Sequence, residues 1–311
     1  MTSRSINHTA IIAKPNRKPI KYRKQWQSML LSFPALLLYT LVFIYPMITV
    51  FRLSFFSWNG IPSSAMEFVG FKNFVSLFHD SKFMIAFKNV MIMMLSGFVL
   101  IMPISFFLAT VVQSKMKGSH LLRTAYFIPQ IICRTAIALM WYFILYPEGG
   151  PLSTLCNALG IYGIDTNFLG SMKYAFYAIV VINAWTYAGY NMLIFSAGLT
   201  SIPSVFYEAA SIDGATNIQK LWYITLPQMK GSFQIFALNC IIGSITTFEM
   251  IFATTGGGPG NATEVFGTLL YKNAFTYNRY GYANAVGTLL IVTCLVVSLL
   301  LTKLFDRSKE E

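Results

Sequence analysis

The sequence predicts an all-α integral membrane protein with about six transmembrane helices. Only 11% of its 311 residues are charged and 55% are hydrophobic, whereas an ordinary soluble domain carries roughly 25% charged residues. Several stretches without a charge are longer than the roughly 20 residues of helix that cross a hydrocarbon core of about 30 Å. The basic residues are unevenly distributed between these stretches, as the positive-inside rule describes for membrane proteins.

Four uninterrupted stretches are the clearest candidate spans. No charged residue lies between Lys24 and Arg52, between Lys88 and Lys115, between Lys173 and Glu208, or between Arg279 and Lys303. Two shorter stretches complete the count, and one of them contains Arg134. The six predicted spans cover residues 28–53, 86–112, 127–145, 175–199, 233–252 and 282–304.

Residues 1–24 are predicted to form a basic tail on the cytoplasmic side, followed by a transmembrane domain over residues 25–311. The tail contains two prolines and seven Lys or Arg residues, a composition that does not bury a core but attracts anionic lipid headgroups. With the N-terminus in the cytoplasm, most basic residues fall on the inner side. The net charge of +12 then reflects orientation and contact with membrane lipid, and no nucleic-acid partner is expected.

The inner connection over residues 201–230 carries the most specific pattern in the chain. Three residues separate the run Glu208, Ala209, Ala210 from Gly214, nine more separate Gly214 from Ile224, and Leu226 and Pro227 complete the pattern. Good helix formers surround Glu208, and Gly214 permits a reversal that bulkier residues disfavour. The loop is therefore predicted to be an elbow of two short helices, 205–212 and 218–224.

This pattern resembles the EAA loop of the permease subunits of binding-protein-dependent ABC importers. The resemblance implies that a cytoplasmic ATPase subunit receives the first short helix in a surface groove. Glu208 would then be a polar contact, Ala209 and Ala210 would permit close approach, Asp213 would join the same contact and Gly214 would form the turn. Ile224, Leu226 and Pro227 complete the predicted coupling loop. An ordinary amphipathic loop lying on the membrane is the alternative interpretation.

The resemblance covers about residues 83–304. Within it, residues 248–263 indicate the class of solute more narrowly. That stretch looks like the outer loop of permeases of the carbohydrate-uptake class related to the maltose transporter, many of which carry Asp where this chain has Glu249. The resemblance implies a sugar or oligosaccharide as the solute. Gly256, Gly257, Gly258 and Pro259 are predicted to face a docked solute receptor, because glycines permit close backbone approach. A plain flexible loop is the alternative.

Polar and aromatic residues at helical spacing predict a substrate pathway, because aromatic rings pack on sugar C–H groups while amides and hydroxyls bond to sugar hydroxyls. The candidates are Asn183, Tyr187, Tyr190 and Asn191 on span 4, Asn239, Thr246 and Glu249 on span 5, and Asn284 on span 6. Polar contacts between helices are the alternative for the uncharged side chains, and a solvated helix end is the alternative for Glu249. Gly243 and the Ala283/Gly287 pair are predicted to be close-packing positions, and contact with the solute is the alternative. Arg134 is predicted to extend to the lipid headgroups at the inner end of span 3, and a role in binding the substrate is the alternative.

The chain has no G-x-x-x-x-G-K-[ST] phosphate loop, so it is predicted to be a transport subunit and not an enzyme. No cofactor or metal is expected on this chain, and ATP and Mg²⁺ would bind to the partner. The resemblance implies a second homologous permease, two ATPase subunits and an extracytoplasmic solute-binding protein, in the plasma membrane of a prokaryote. The alternatives are an ABC permease for a peptide or amino acid, an ion-driven secondary transporter, and a membrane sensor or scaffold.

Overall fold

The computed structural model describes residues 23–114, 118–161 and 166–307. Most of the predicted basic tail, residues 1–22, therefore lies outside the described residues. The chain divides into two compact units, residues 1–49 and 50–311. In the first unit, helix α1 (Arg23–Tyr39) continues through a π-helical turn, Thr40–Ile44, into the start of α2 (Tyr45–Leu53). Large apolar side chains from Leu31 onward are exposed, as expected of a helix with lipid as its solvent.

The second unit is mainly helical. Its only two described strands, β1 (Phe56–Ser57) and β2 (Glu67–Phe68), pair antiparallel in the connection after α2. Its other helices are α3 (Lys72–His79), α4 (Ser81–Ser96), α5 (Met102–Gln113), α6 (Ser119–Ile131), α7 (Arg134–Ile144), α8 (Pro151–Ala158), α9 (Ala175–Thr200), α10 (Ser204–Ile212), α11 (Asn217–Lys220), α12 (Leu226–Gln228), α13 (Lys230–Ile245), α14 (Glu249–Thr254), α15 (Phe266–Tyr271) and α16 (Tyr280–Arg307). Further π-helical turns cover Gly97–Ile101, Leu221–Thr225 and Lys272–Thr276.

Four of the predicted spans are confirmed as continuous helices of sufficient length and apolarity to cross a membrane. They are Leu31–Leu53, Ser81–Gln113, Ala175–Thr200 and Tyr280–Phe305. The second of these joins α4 to α5 through the turn Gly97–Ile101. The chain is thus a multi-pass membrane protein.

The third and fifth predicted spans differ from a single straight helix. Span 3 is a pair, α6 and α7, bent by 100°. Ile132 has an extended conformation at the break, and Pro129, which has no amide hydrogen, lies shortly before it. Span 5 divides into α13 and α14, because Phe248 (φ −148°, ψ −60°) leaves the helical region. Irregular backbone at membrane depth is tolerated where it lines a cavity or is buried in protein. Both breaks are therefore expected either to line a cavity or to be covered by other helices.

Two apolar clusters hold the second unit together. One contains buried side chains of α4, α7, α9, α14, α15 and α16, including Val90, Ile137, Ile179 and Ile251. The other lies toward the elbow and centres on Met192 and Phe195 of α9 and their neighbours. A side chain at the end of α5 adds a polar clamp, since Gln113 Nε2 donates to the backbone oxygen of Ser196 at 2.8 Å.

Candidate coupling elbow and substrate cleft

The 201–230 loop forms the predicted elbow. Helix α10 ends at Ile212, and Gly214 reverses the chain with φ +76°, in the left-handed region that favours glycine. The next helix begins with a capping box, in which the Thr216 side chain accepts from the Gln219 amide while the Gln219 side chain accepts from the Thr216 amide. The two short helices and the glycine turn expected from the sequence are therefore present.

The coupling pattern separates into an open part and an anchored part. Glu208, Ala209, Asp213 and Gly214 are exposed, and Ala210 is half-buried. In the second part, Ile224 packs with Tyr207 against the Phe195 cluster, Leu226 is half-buried and Pro227 is exposed. The first part can therefore meet a partner, while Ile224 fixes the elbow to the helices above it.

Two hydrogen bonds connect the arms of the elbow. The Tyr207 hydroxyl lies 2.9 Å from the Thr225 hydroxyl, which is buried. Lys220 Nζ donates to Ser211 Oγ at 2.7 Å. Both ends of the elbow are also anchored, because Ile202 and Met229 are buried in the core. These contacts make the elbow a single stiff piece between α9 and α13.

An open cleft lies between α9, α13 and the second span. Most of the predicted pathway residues line it. Apolar and small residues, which the helical spacing of polar side chains does not predict, also line it. Its walls are formed by Met93, Gly97, Ile101, Arg134, Asn183, Tyr187, Tyr190, Asn191, Phe236, Asn239, Cys240, Gly243, Ser244 and Thr247. A smaller neighbouring pocket shares Arg134, Asn183, Tyr187 and Thr247 with this cleft and adds Glu249. Aromatic, amide and hydroxyl groups therefore converge on one space.

Two predicted pathway residues, Thr246 and Asn284, line neither the cleft nor its neighbouring pocket. Thr246 Oγ1 donates to the Ile242 carbonyl at 2.9 Å, and Asn284 Nδ2 donates to the Tyr280 carbonyl at 2.8 Å. Each side chain is thus bonded within its own helix. Helical spacing placed Thr246 on the Asn239 face, but α13 ends at Ile245 and Thr247 takes the expected position on the cleft wall.

Arg134 corrects a second expectation. It was expected to extend to the headgroups, but it begins α7 directly after the break and lines the cleft. Its guanidinium lies 5.4 Å from the centre of the Tyr187 ring and 3.9 Å from the Glu249 carboxylate. Hydropathy alone did not reveal this, because only the bent path of α6 and α7 turns the side chain toward α9 and α14.

Of the predicted close-packing positions, Gly243 does not pack closely and the Ala283/Gly287 pair does. Gly243 was expected to be a close-packing position, but a Cβ at this residue would meet nothing within 4 Å, and the residue lines the cleft. Gly287 does pack closely, since its Cβ would lie 3.3 Å from Leu270 and 3.4 Å from Val50. Ala283 is also buried, so the prediction for the Ala283/Gly287 pair is confirmed.

Residues 101–311 match the family described as binding-protein-dependent transport system inner membrane component. The chain belongs to this family. The probable ABC transporter permease protein YurN of Bacillus subtilis (strain 168) is 37% identical over 89% of this chain and 95% of its own length. The multiple sugar-binding transport system permease protein MsmF of Streptococcus mutans is 34% identical over 90% and 95% of the two chains. A solved bacterial alginate ABC transporter, in complex with an alginate pentasaccharide-bound periplasmic protein, has a TM-score of 0.76 at 25% identity, covering 92% of this chain and 96% of its own.

This inner membrane component is therefore a transport subunit with the ABC importer permease fold. Its relatives are matched over nearly their whole length, so the described helices correspond to the body of such a subunit. The resemblance stated from the sequence is confirmed at the level of the family. The roles of individual residues stay predictions, and the most specific of these concern the elbow.

The glycine-rich loop of this permease is the segment after α14 that contains Gly256, Gly257, Gly258 and Pro259. It is a folded structure and not a plain flexible connection. Gly256, Gly257 and Gly260 all have positive φ, and Thr263 Oγ1 donates to the Gly258 carbonyl at 2.7 Å. Gly257 is buried, so the prediction that it faces a receptor does not hold. Gly256, Gly258 and Pro259 are half-exposed and remain candidates.

Gly257 is buried against an ion pair that the sequence did not reveal. Lys272 Nζ lies 2.5 Å from Glu264 Oε2, and the Glu264 side chain is fully buried. A Cβ at Gly257 would lie 2.7 Å from both of these charged atoms. Asn89 of α4 then donates to the backbone oxygens of Ala262 and Glu264, both at 2.9 Å. The loop is thereby fixed to the second span.

Proposed function

We propose that this chain is one of two homologous permease subunits of an ATP-driven importer that carries a sugar or oligosaccharide into a prokaryotic cell across its plasma membrane. The importer would comprise a second permease, two ATPase subunits that bind ATP and Mg²⁺, and an extracytoplasmic solute-binding protein. Family membership supports the binding-protein-dependent system. The names of MsmF and of the alginate transporter support a carbohydrate as the solute.

The orientation that this function requires agrees with the charge distribution. With the N-terminus in the cytoplasm, the elbow lies below the bilayer and the loop after α14 lies on the receptor side. The basic residues of the tail and of the elbow, Lys220 and Lys230, then fall on the inner side. Half-exposed Gly256, Gly258 and Pro259 would be available to the receptor.

The stiff, exposed elbow is the observation that carries the proposal. Beside the exposed Glu208, the elbow displays apolar side chains that a solvated loop would not display, including Val205 (67% exposed), Ile212 (87%) and Trp222 (63%). Exposed apolar patches rimmed by polar groups mark interaction surfaces. An ATPase subunit that holds this surface would move α9 and α13 together, because the hydrogen-bonded arms transmit force as one body.

Alternating access follows from this linkage. Closure of the ATPase pair on ATP would pull the two elbows, and the cleft between α9, α13 and the second span would turn toward the receptor. ATP hydrolysis would return the cleft to the cytoplasm. Tyr187 and Tyr190 would pack on the sugar ring, while Asn183, Asn191 and Asn239 would bond to its hydroxyl groups.

The coupling role predicts that Gly214→Pro abolishes ATP-dependent solute uptake while the complex still assembles. Proline fixes φ near −65° and cannot adopt the +76° of Gly214, so the arms of the elbow would diverge. Uptake and ATP hydrolysis would be measured in proteoliposomes that carry the complete complex and its receptor.

Gly149→Pro is the matched control, because Gly149 also has positive φ (+77°) and open space around it but lies outside the elbow. The control is expected to retain most of the uptake. Unchanged uptake by the Gly214→Pro complex, with all subunits present, would exclude the coupling role.

The solute class needs a separate test, because an amino acid or peptide permease would share the elbow. The companion binding protein would be titrated with a panel of mono- and oligosaccharides and with a panel of amino acids and short peptides. Binding of a saccharide is expected. Binding restricted to amino acids or peptides would leave the importer architecture standing and overturn the solute.

A further inference from the structure

Two charged side chains meet at the breaks of the two interrupted spans. Arg134 is the first residue of α7, after the 100° bend, and Glu249 is the first residue of α14, after Phe248 leaves the helical region. Their nearest charged atoms are 3.9 Å apart. They are also the only charged residues among the described side chains that line the cleft and its neighbouring pocket.

The pair is incompletely satisfied. Its 3.9 Å separation is longer than a hydrogen bond, and the two side chains are 52% and 55% exposed. The guanidinium also approaches the Tyr187 ring. Among the described residues, neither side chain has a direct hydrogen bond, although a guanidinium offers five donors and a carboxylate about four acceptor sites. Most of this capacity is therefore open to the cleft.

The two charges together give the cleft wall no net charge. An uncharged polyhydroxylated solute can accept hydrogen bonds from Arg134 and donate hydrogen bonds to Glu249, and it disturbs the pair little. An acidic sugar would gain from Arg134 but would bring its own charge close to the Glu249 carboxylate. Juxtaposition of like charges is a common means of rejecting a competing ligand.

We propose that Arg134 and Glu249 are specificity-determining residues, a proposal that rests on the sugar pathway proposed above. Their balanced charges suit uncharged sugars and give acidic sugars no electrostatic advantage. The exposed, weakly bonded pair is suited to this role because surface pairs of this kind contribute little to stability. Its two members can exchange their mutual contact for contacts with a solute.

The electrostatic part of the proposal is tested without any sugar. In the assembled complex, a single cysteine, either next to Arg134 in the chain or in the cleft wall, is labelled with anionic sulfonatoethyl methanethiosulfonate or with cationic trimethylammonioethyl methanethiosulfonate. Cys133, which is exposed and adjacent to Arg134, is one reporter, with Cys156, Cys240 and Cys294 replaced by serine. The second is Gly243→Cys, where a side chain meets open space, with all four native cysteines replaced by serine. Rates are divided by those of a free thiol in the same buffer.

Each variant has a distinct expected result. With both charges present, the normalised anionic and cationic rates are similar. Glu249→Gln should raise the ratio of the anionic to the cationic rate at Cys133 roughly tenfold, and Arg134→Gln should lower it by a similar factor, as a unit charge a few ångströms away requires. The double variant Arg134→Gln/Glu249→Gln should restore the original ratio. Gly243→Cys should respond in the same directions with smaller factors.

Ratios that do not change in the single variants would overturn the proposal. Failure of both reporters to react with either reagent would also overturn it, because a solute pathway must admit small polar molecules.

A second measurement connects the charges to the solute. Binding of maltotriose and of trigalacturonate to the complex would be compared, and Glu249→Gln is expected to raise the affinity for the acidic sugar relative to the neutral one. An unchanged preference would exclude the specificity role. If the proposed function failed instead, the labelling ratios would still shift while neither sugar was bound or imported.

Discussion

Replacing Lys272 with methionine should destabilise this permease by about 3–5 kcal/mol, the cost of leaving a buried charge without its partner. Glu264 is fully buried, and its second carboxylate oxygen, Oε1, has no hydrogen-bond partner among the described residues. Lys272 Nζ is therefore the group that compensates its charge, at 2.5 Å. Equilibrium unfolding of the purified protein in detergent, over a denaturant series, would measure the change.

The double variant Glu264→Met/Lys272→Met distinguishes a lost charge from lost packing. Apolar replacement of an entire buried pair is often neutral or stabilising, so the double variant should recover most of the loss. Lys173→Met is the matched control, because Lys173 is exposed and its replacement should change stability by less than about 0.5 kcal/mol. A double variant as unstable as Lys272→Met would contradict the interpretation of the pair.

The Glu264–Lys272 pair also explains why the glycine-rich loop has a glycine at position 257. The sequence predicted that the glycines permit approach of another protein, yet Gly257 lacks a side chain because Glu264 and Lys272 occupy that space. No signal in the sequence indicated this, because Glu264 lies in an irregular polar stretch that has the composition of a solvated loop. Burial of such a stretch depends on contacts from a distant span, here the amide of Asn89.

The elbow was predictable because its information is local. A fixed spacing of small, charged and turn-forming residues specifies two short helices and a reversal, and the structure has Gly214 in the required conformation. The four long spans were equally accessible, since hydropathy over about 20 residues measures what a bilayer requires.

The breaks in spans 3 and 5 were not accessible, because an average over a window cannot show where a helix ends. For this reason, the predicted positions of two candidate functional residues, Thr246 and Arg134, were wrong. The sequence periodicity predicts Thr246 on the pathway only if α13 continues beyond Ile245, where it ends. A straight span 3 predicts Arg134 at the headgroups, whereas the bend between α6 and α7 brings it to Glu249 and Tyr187. The polar groups nearest to the breaks are thus the ones that sequence periodicity assigns least well.

Gly189→Ala should cost about 3 kcal/mol of stability, at the upper end for overpacking, and should also impair solute uptake. Gly189 is buried in α9, where α6 crosses it, and an added Cβ would overlap the backbone oxygen of Tyr126. A flexible side chain could rotate away from such an overlap, but a carbonyl inside a helix moves only with the helix. Helix α6 would shift, and the bend that it forms with α7 positions Arg134 in the cleft.

Gly231→Ala is the matched control for this variant. Gly231 also lies within a helix, α13, but a Cβ there would meet nothing within 4 Å, so alanine should be neutral or stabilise by up to about 1 kcal/mol through its higher helix propensity. Unfolding in detergent and uptake in proteoliposomes would be measured for both variants. If Gly189→Ala proved as stable as Gly231→Ala, the close approach of α6 to α9 would not be a constraint, and the position of Arg134 would need another support.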